Sequence, residues 1–384
     1  MHIVVDANIP YIRGHIEAFG EVLYKKGSEI TAEDVRDADV LVIRTRTRCD
    51  GSLLKGSKVK FIVTATIGFD HLDLQFLKEA GIQWVNCPGC NATSVAQYVE
   101  SALLLLAIQR GWKGFASATL GIVGVGHVGT AVFHMAQKLG FGRILLCDPP
   151  RVYAEGLSLS SELPLRGVAW TSLSTLAHES DILTFHTPLS FAPSPWPTFQ
   201  MVDAHFLSSL KSGAIVINSS RGEVVCTQAL VEALDLDADK GLTAIIDTWE
   251  SEPNISRALL SRVFLGTPHI AGYSADGKAN ATRMALAAVA NFLGKPCFDF
   301  EKIQPPALPE GYKYFSGPST FCKSQGRATE VGEEALHCQV AGLPTWVLES
   351  LRLYNPMRDY LALRECPQNF ELLRANYPLR REHA

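Results

Sequence analysis

The segment from Thr119 to Gly129 constrains the fold of this 384-residue chain more than any other part of its sequence. An apolar run, TLGIV, leads directly into Gly124-Val-Gly126-His-Val-Gly129, and apolar residues then recur at helical spacing. A strand, a glycine-rich turn and a helix in this order are typical of a βαβ unit that binds the pyrophosphate of a dinucleotide. The pattern therefore predicts an α/β fold with a parallel sheet and a cofactor site formed by Gly124, Gly126, His127, Val128 and Gly129.

Asp148 indicates which dinucleotide is preferred. It ends the next predicted strand, RILLCD, 19 residues after Gly129. A carboxylate at this point accepts hydrogen bonds from the adenosine ribose and repels a 2′-phosphate, which favours NAD over NADP. Arg151 follows closely and could accommodate a 2′-phosphate. Because Asp148 completes the strand, turn, helix and strand pattern, we predict NAD.

Short β-branched runs alternate with helical stretches in two sets. The first set lies between residues 2 and 66 and the second between residues 119 and 270. This alternation predicts parallel sheets. We therefore expect two Rossmann-like, doubly wound domains, one over 1–92 (with 275–295) and one over 93–274. From about residue 300 the chain continues neither set, since Pro305 and Pro306 open a breaker-rich stretch, and we expect a third module over 300–384.

Composition and charge exclude several classes of function. The net charge of −4 gives no basic field for nucleic acid or anionic lipid. The longest strongly apolar run, 102–108, is far shorter than the roughly 20 residues of a membrane span. The nine cysteines are scattered and odd in number, and the single CxxC at Cys87 and Cys90 supplies only half of a zinc site. We expect a cytoplasmic protein without a metal.

Polar residues at the carboxyl ends of predicted strands are the candidates for chemistry. Arg221 follows AIVINSS, Glu252 follows TAIIDTW and His269 ends FLGTPHI. Oxidation of a 2-hydroxy acid needs a cation for the carboxylate, a base for the hydroxyl proton and a group that orients the base. Each residue alone also fits a structural role, and Glu250 competes with Glu252, so the prediction depends on the three occurring together.

These motifs resemble the D-2-hydroxyacid dehydrogenase family. The resemblance is carried by the glycine turn and by three further motifs, which are Asn218-Ser-Ser-Arg221-Gly, Asp247-Thr-Trp-Glu-Ser-Glu-Pro253 and Thr267-Pro-His-Ile-Ala-Gly-Tyr273. It implies that Arg221 holds the substrate carboxylate, that His269 is the acid/base and that Glu252 is the partner of its imidazole.

Further stretches, including Pro88-Gly-Cys-Asn-Ala92 and Leu146-Cys-Asp-Pro-Pro-Arg151, are similar to the members of this family that oxidise 4-phospho-D-erythronate in pyridoxal 5′-phosphate synthesis. That similarity implies substrate contacts at Thr45, Thr66 and Tyr273. It implies NAD contacts at Asp148, Thr187, Ser219, Ser220, Arg221, Asp247 and Gly272. The C-terminal FELLRANYPLRRE resembles an α+β dimerisation module, which implies a homodimer.

A phosphorylated substrate needs cations. In Arg44-Thr-Arg46-Thr-Arg48, strand alternation would place the three arginines on one face, although a solvated basic edge is an equal alternative. We predict that Arg44 and Arg46 bind the substrate. Arg380 and Arg381 form a second basic pair, which could reach the site of a partner subunit. Gln200 stands where we expect histidine, without a physical reason at this level.

Two other functions remain open from the residues. One is another 2-hydroxyacid dehydrogenase, of the phosphoglycerate or glyoxylate type. The other is an NAD-sensing binding module, since the same fold serves both purposes. The set of Arg221, Glu252 and His269 argues against a module that only binds.

Overall fold

The computed structural model describes residues 1–154, 156, 169–236, 241–295, 300–307 and 345–382. The chain divides into two compact units. The first unit contains residues 1–91 and 274–307, and the second contains residues 92–273 and the described C-terminal residues 345–382. Much of the third module predicted over 300–384 lies outside the described residues, so its role in dimerisation stays a prediction.

The first unit is built on a five-stranded parallel sheet of order β2-β1-β3-β4-β5. Its strands are β1 (His2–Asp6), β2 (Glu21–Lys25), β3 (Val40–Ile43), β4 (Phe61–Thr64) and β5 (Gln83–Val85). Its helices are α1 (Ala32–Val35), α2 (Gly51–Leu54), α3 (Leu74–Glu79) and the later α11 (Ala275–Phe292).

Both faces of this sheet are buried, which explains its apolar strands. Ile3 and Val5 face a core with small residues of α11, whereas Val4 faces a second core on the opposite side. Side chains alternate between the faces of a strand, so a sheet covered on both sides needs uninterrupted apolar runs.

The second unit is built on a seven-stranded parallel sheet of order β12-β11-β10-β9-β6-β7-β8. Its strands are β6 (Thr119–Val123), β7 (Arg143–Cys147), β8 (Ala169–Trp170), β9 (Ile182–Phe185), β10 (Ile215–Asn218), β11 (Thr243–Ile246) and β12 (Leu265–Gly266). Its helices before residue 273 are α4 (Ala92–Arg110), α5 (His127–Lys138), α6 (Pro149–Ala154), α7 (Leu173–Glu179), α8 (Ala204–Ser208), α9 (Thr227–Leu236) and α10 (Arg257–Leu260).

The order of the strands reverses between β6 and β9. The chain runs outward from β6 through β7 to β8 and then returns to the other side of β6 at β9. Ligands of open parallel sheets bind beyond the carboxyl ends of the strands at such a reversal. The predicted pair of doubly wound parallel sheets is confirmed, and the reversal lies at the glycine turn that follows β6.

The described C-terminal residues form α12 (Thr345–Leu353), α13 (Met357–Glu365) and α14 (Phe370–Ala375). Tyr354, Leu363 and Phe370 are fully buried in the same core as the seven-stranded sheet. Tyr360 also donates a hydrogen bond to the Val263 carbonyl over 3.0 Å. The C-terminal helices therefore pack against their own unit. Among the described residues, we find no helix that is long and apolar enough to cross a membrane.

Candidate active site

Two glycines of the turn 124–129, which we call the glycine loop, are required by packing within the protein. Gly124 has φ +83°, and a Cβ there would lie 2.6 Å from the carbonyl oxygen of His186, after β9. A Cβ on Gly129 would lie 2.0 Å from the Gly124 carbonyl oxygen. Any side chain at either position would displace backbone, so the close approach of β6, α5 and the end of β9 depends on these glycines.

Gly126 differs, because a Cβ at this position would meet no atom within 4 Å. It directly precedes α5, and no side chain caps the first N–H groups of this helix, which belong to His127 and Val128. Free N–H groups and the positive end of a helix dipole form an anion site. The open space at Gly126 therefore fits the predicted pyrophosphate contact, and a side chain would fill it.

Asp148 lies at the end of β7 and is held against the glycine loop. Its Oδ2 accepts a hydrogen bond from the Val125 N–H over 2.7 Å, and its Oδ1 accepts one from the Arg151 N–H over 3.0 Å. The Arg151 guanidinium donates to the Val125 carbonyl over 2.8 Å. Each carboxylate oxygen retains acceptor capacity for a ribose hydroxyl. The arrangement fits the ribose contact that the sequence predicts.

Two predicted cofactor contacts are buried hydroxyls without a hydrogen-bond partner among the described residues. They are the Oγ1 of Thr187, after β9, and the Oγ of Ser219, after β10. A buried polar group left unsatisfied costs about 1–3 kcal/mol. Together with the space at Gly126, these hydroxyls show that the carboxyl edge of the sheet fits a dinucleotide.

Arg221 is presented by a turn that Asn218 holds at the end of β10. The Asn218 amide donates to the Arg221 carbonyl over 2.8 Å and accepts from both the N–H and the hydroxyl of Ser220. A Cβ on the following Gly222 would lie 2.0 Å from the Trp249 carbonyl. The Arg221 turn therefore packs directly against the loop that begins at Trp249 and carries Glu252.

Glu252 and His269 are in hydrogen-bond contact. The His269 Nδ1 lies 2.8 Å from the Glu252 Oε2, and the Trp249 N–H donates to the Glu252 Oε1 over 2.9 Å. Burial alone would raise the pKa of Glu252, but His269, the Trp249 N–H and Arg374 outweigh burial and lower it. Because an ionised Glu252 can only accept a hydrogen bond, the proton of this contact is on the Nδ1 of His269. The Nε2 of His269 is then left as the acceptor for the proton of a substrate.

Glu250, the other acid of this loop, is engaged elsewhere. Its Oε2 accepts the Thr227 N–H at the start of α9 over 2.9 Å, and its Oε1 accepts the Gln200 side-chain amide over 3.0 Å. These contacts explain Gln200, for which the sequence offered no reason: it ties its loop to Glu250. They also leave Glu252 as the acid that contacts the imidazole.

Residues 269–273, which we call the histidine loop, begin in a strained conformation. His269 has φ +56°, a region that residues other than glycine rarely adopt and that costs about 1–3 kcal/mol. Asp247, which is 1% exposed, holds this conformation. Its carbonyl accepts the His269 N–H, and its carboxylate accepts the N–H groups of Ile270 and Ala271. Asp247 therefore supports the loop, and its predicted contact with NAD stays a prediction.

Arg380 holds the other side of the histidine loop. Its fully buried guanidinium donates to the carbonyls of Ile270, Ala271 and Tyr273, and to the Ser94 carbonyl on α4. The hypothesis that Arg380 reaches a partner subunit is therefore wrong, because its donors are satisfied within its own chain. Gly272 and Tyr273, a predicted cofactor contact and a predicted substrate contact, are half-buried in this loop.

The predicted substrate residues of the first unit follow β3 and β4. The idea that Arg44, Arg46 and Arg48 share a strand face is wrong, because β3 ends at Ile43 and a turn follows. Arg44 donates to the Asn8 carbonyl over 2.9 Å, and Arg48 pairs with Asp50 over 2.9 Å.

Thr45 and Arg46 are exposed, and Arg46 lines a cavity of about 370 Å³. Thr66 follows β4, where its hydroxyl lies 2.7 Å from that of Thr64, which in turn contacts the His71 Nε2 over 3.0 Å. The substrate roles of Thr45, Thr66, Arg44 and Arg46 stay predictions.

Comparisons with known proteins bear on the same residues. A model of the family described as D-isomer specific 2-hydroxyacid dehydrogenase, NAD binding domain, matches residues 108–271. The chain is 47% identical over 388 residues to an erythronate-4-phosphate dehydrogenase of Bacteroides fragilis, with 100% of this chain and 97% of the relative covered. It is 40% identical over 391 residues to one of Marinobacter nauticus, with 100% and 93% covered.

Among solved structures, D-lactate dehydrogenase from Aquifex aeolicus, complexed with NAD and lactic acid, superposes with a TM-score of 0.61. It is 22% identical in sequence, and the match covers 77% of this chain and 96% of that chain. At this identity the likeness supports the fold.

Proposed function

The chain belongs to the family of erythronate-4-phosphate dehydrogenases, and from that premise we propose that it oxidises 4-phospho-D-erythronate to (R)-3-hydroxy-2-oxo-4-phosphooxybutanoate with NAD, in the synthesis of pyridoxal 5′-phosphate. The observation that carries the proposal is the contact of His269 with Glu252 beside the turn of Arg221. This arrangement places a base (His269), an acid that orients it (Glu252) and a cation (Arg221) at one edge of an NAD-binding sheet.

Each of the three residues has one task in the proposed reaction. Arg221 binds the C1 carboxylate of the substrate through its planar fork of donors. The His269 Nε2 accepts the proton of the C2 hydroxyl as the C2–O bond becomes a carbonyl. Glu252 keeps the imidazole oriented and stabilises the positive charge that it acquires. NAD, when bound, accepts the hydride that leaves C2.

We further propose that the protein is a cytoplasmic homodimer. Exposed apolar side chains on the C-terminal helices support a partner surface, because Trp346, Leu361 and Leu372 are each more than 40% exposed. The described residues contain no disulfide bond, which suits a reducing compartment. Sedimentation of the purified protein tests the dimer.

A substrate comparison tests the proposed reaction. Purified protein is assayed for NADH formation with 4-phospho-D-erythronate, 3-phospho-D-glycerate and glycolate, with 2-oxo acids added as acceptors in case NADH is retained. We expect the highest kcat/KM with 4-phospho-D-erythronate. A higher kcat/KM with 3-phosphoglycerate or glycolate would assign the chain to another branch of 2-hydroxyacid dehydrogenases.

The variant His269→Asn separates an enzyme from a module that only binds NAD. Loss of a general base lowers kcat by about 100- to 10,000-fold. We expect a loss in that range with unchanged NAD affinity, measured by fluorescence titration. Full activity of His269→Asn would remove His269 from the mechanism.

A further inference from the structure

Arg374, in α14, lies beside the catalytic pair of its own unit. Its NH1 is 3.7 Å from the Glu252 Oε2, and its guanidinium carbon is 6.0 Å from the centre of the Tyr273 ring. Its side chain is 21% exposed. A residue more than 100 positions after His269 thus brings a further positive charge to the site, in addition to those of Arg221 and Arg380.

The guanidinium of Arg374 makes no hydrogen bond to any described residue. Its Nε is buried without a partner, and 3.7 Å is too long for a hydrogen bond to Glu252. The Glu252 Oε2 is already in contact with His269. Arginine carries five N–H donors, and a buried donor left unsatisfied costs free energy. The buried Nε donor of Arg374 therefore has no acceptor among the described residues.

Other arginines near the site are committed. Arg380 donates hydrogen bonds to backbone carbonyls of the histidine loop and of α4. In the proposed function, Arg221 binds the carboxylate of the substrate. A substrate with a phosphate at its far end brings a second anionic group, with three acceptor oxygens and a charge close to −2. The fork of an arginine matches this group in both geometry and charge.

We propose that Arg374 binds the 4-phosphate of the substrate within its own subunit, and that it thereby makes the site selective for phosphorylated 2-hydroxy acids. This proposal rests on the proposed function. A phosphate beside the ionised Glu252 is repelled by it, and the positive charge of Arg374, which stands against Glu252, reduces that repulsion. Helix α14 then supplies the specificity for the phosphate, whereas the residues that carry out the oxidation follow the strands of the seven-stranded sheet.

The test compares two substrates that differ only in the phosphate. Wild type, Arg374→Met, Arg374→Lys and the control Arg364→Met, which removes an exposed arginine of α13, are assayed with 4-phospho-D-erythronate and with D-erythronate. For Arg374→Met we expect kcat/KM for the phosphorylated substrate to fall by about 10- to 100-fold, the range of a lost hydrogen bond to a charged group. The value for D-erythronate should fall by less, because that substrate has no phosphate for Arg374 to bind.

Arg374→Lys keeps the charge without the fork, so its kcat/KM for the phosphorylated substrate falls between wild type and Arg374→Met. Inorganic phosphate is the binding probe. We expect it to raise the Tm of the wild type and of Arg364→Met, and to raise the Tm of Arg374→Met by less.

The outcomes separate this proposal from the proposed function. Equal losses on both substrates, together with a shifted pH profile of kcat, would mean that Arg374 acts only through Glu252 and would overturn the proposal. Unchanged protection of Arg374→Met by phosphate would overturn it as well. A wild type without activity on 4-phospho-D-erythronate would instead reject the proposed function, whatever the variants do.

Discussion

The glycine loop and the histidine loop lie at the same edge of the seven-stranded sheet, yet they are held in place by opposite means. The glycine loop owes its shape to its own residues, since Gly124 and Gly129 permit the contacts that form it. The histidine loop is held by the carboxylate of Asp247 on its N–H groups and by the guanidinium of Arg380 on its carbonyls. Arg380 lies 110 positions along the chain from Ile270.

This difference separates two kinds of site. Where geometry is local, a residue that faces open space, such as Gly126, can change without loss of the fold, because no other part of the protein packs against its Cβ position. Where geometry is imposed from a distance, the strain at His269 persists only as long as its two supports remain. Substitutions in the two loops should therefore have different signatures in binding, turnover and stability.

Among substitutions that leave Arg221, Glu252 and His269 in place, the largest effect is expected from Gly126→Val. Its side chain would meet no protein atom at Cβ but would occupy the space assigned to the pyrophosphate. We expect NAD to bind roughly 100-fold more weakly, or about 2.7 kcal/mol, with an unchanged Tm. Calorimetric titration with NAD and thermal denaturation measure the two quantities. Gly126→Ala serves as the graded control, with a smaller loss. Wild-type NAD affinity in Gly126→Val would show that the dinucleotide does not lie against this glycine.

A smaller effect on catalysis, with the opposite signature, is expected from Arg380→Lys. Lysine keeps the charge but lacks the planar fork that spans four carbonyls. We expect kcat to fall by about 10-fold, since a displacement of 1 Å costs up to about 100-fold, while NAD affinity falls by less than kcat and the Tm falls. Arg352→Lys, at an exposed position of α12, is the matched control. A variant that lost NAD affinity but kept kcat would contradict the distinction between the loops.

The same contrast explains what could be predicted from the sequence. The glycine loop, Asp148 and the two parallel sheets follow from patterns a few residues long, so the sequence sufficed for them. The positions of Glu252 and His269 were predictable from strand ends, but the positive φ of His269 was not, because it depends on Asp247 and Arg380.

The roles of the arginines were harder to predict for a similar reason. The alternating pattern of Arg44, Arg46 and Arg48 predicts a strand, but β3 ends at Ile43, one residue before Arg44. No local signal marks Arg374 or Arg380 as neighbours of a loop more than 100 positions away. Tertiary packing brings these residues together, and one sequence without that packing does not reveal it.

The smallest effect concerns the contact that joins the histidine loop to Glu252. The folded state lowers the pKa of Glu252 below its ordinary value of 4.5, despite burial, through His269, the Trp249 N–H and Arg374. A carboxyl whose pKa is lower in the folded than in the unfolded state stabilises the fold above its unfolded pKa, and this contribution is lost as the pH falls through the folded pKa.

The Tm of wild type should therefore exceed that of Glu252→Gln by about 2–4 °C near neutral pH. The gap should begin to close below about pH 4.5, because the carboxyl of the unfolded wild type then becomes protonated before that of the folded protein, and it should be lost once the folded carboxyl is protonated as well. Denaturation of both proteins across this range measures the gap, with Glu223→Gln as a control for a glutamate for which no such contact is expected. A gap that stayed constant down to pH 3 would mean that Glu252 contributes by packing, and that the histidine loop is held by Asp247 and Arg380 without electrostatic help from this acid.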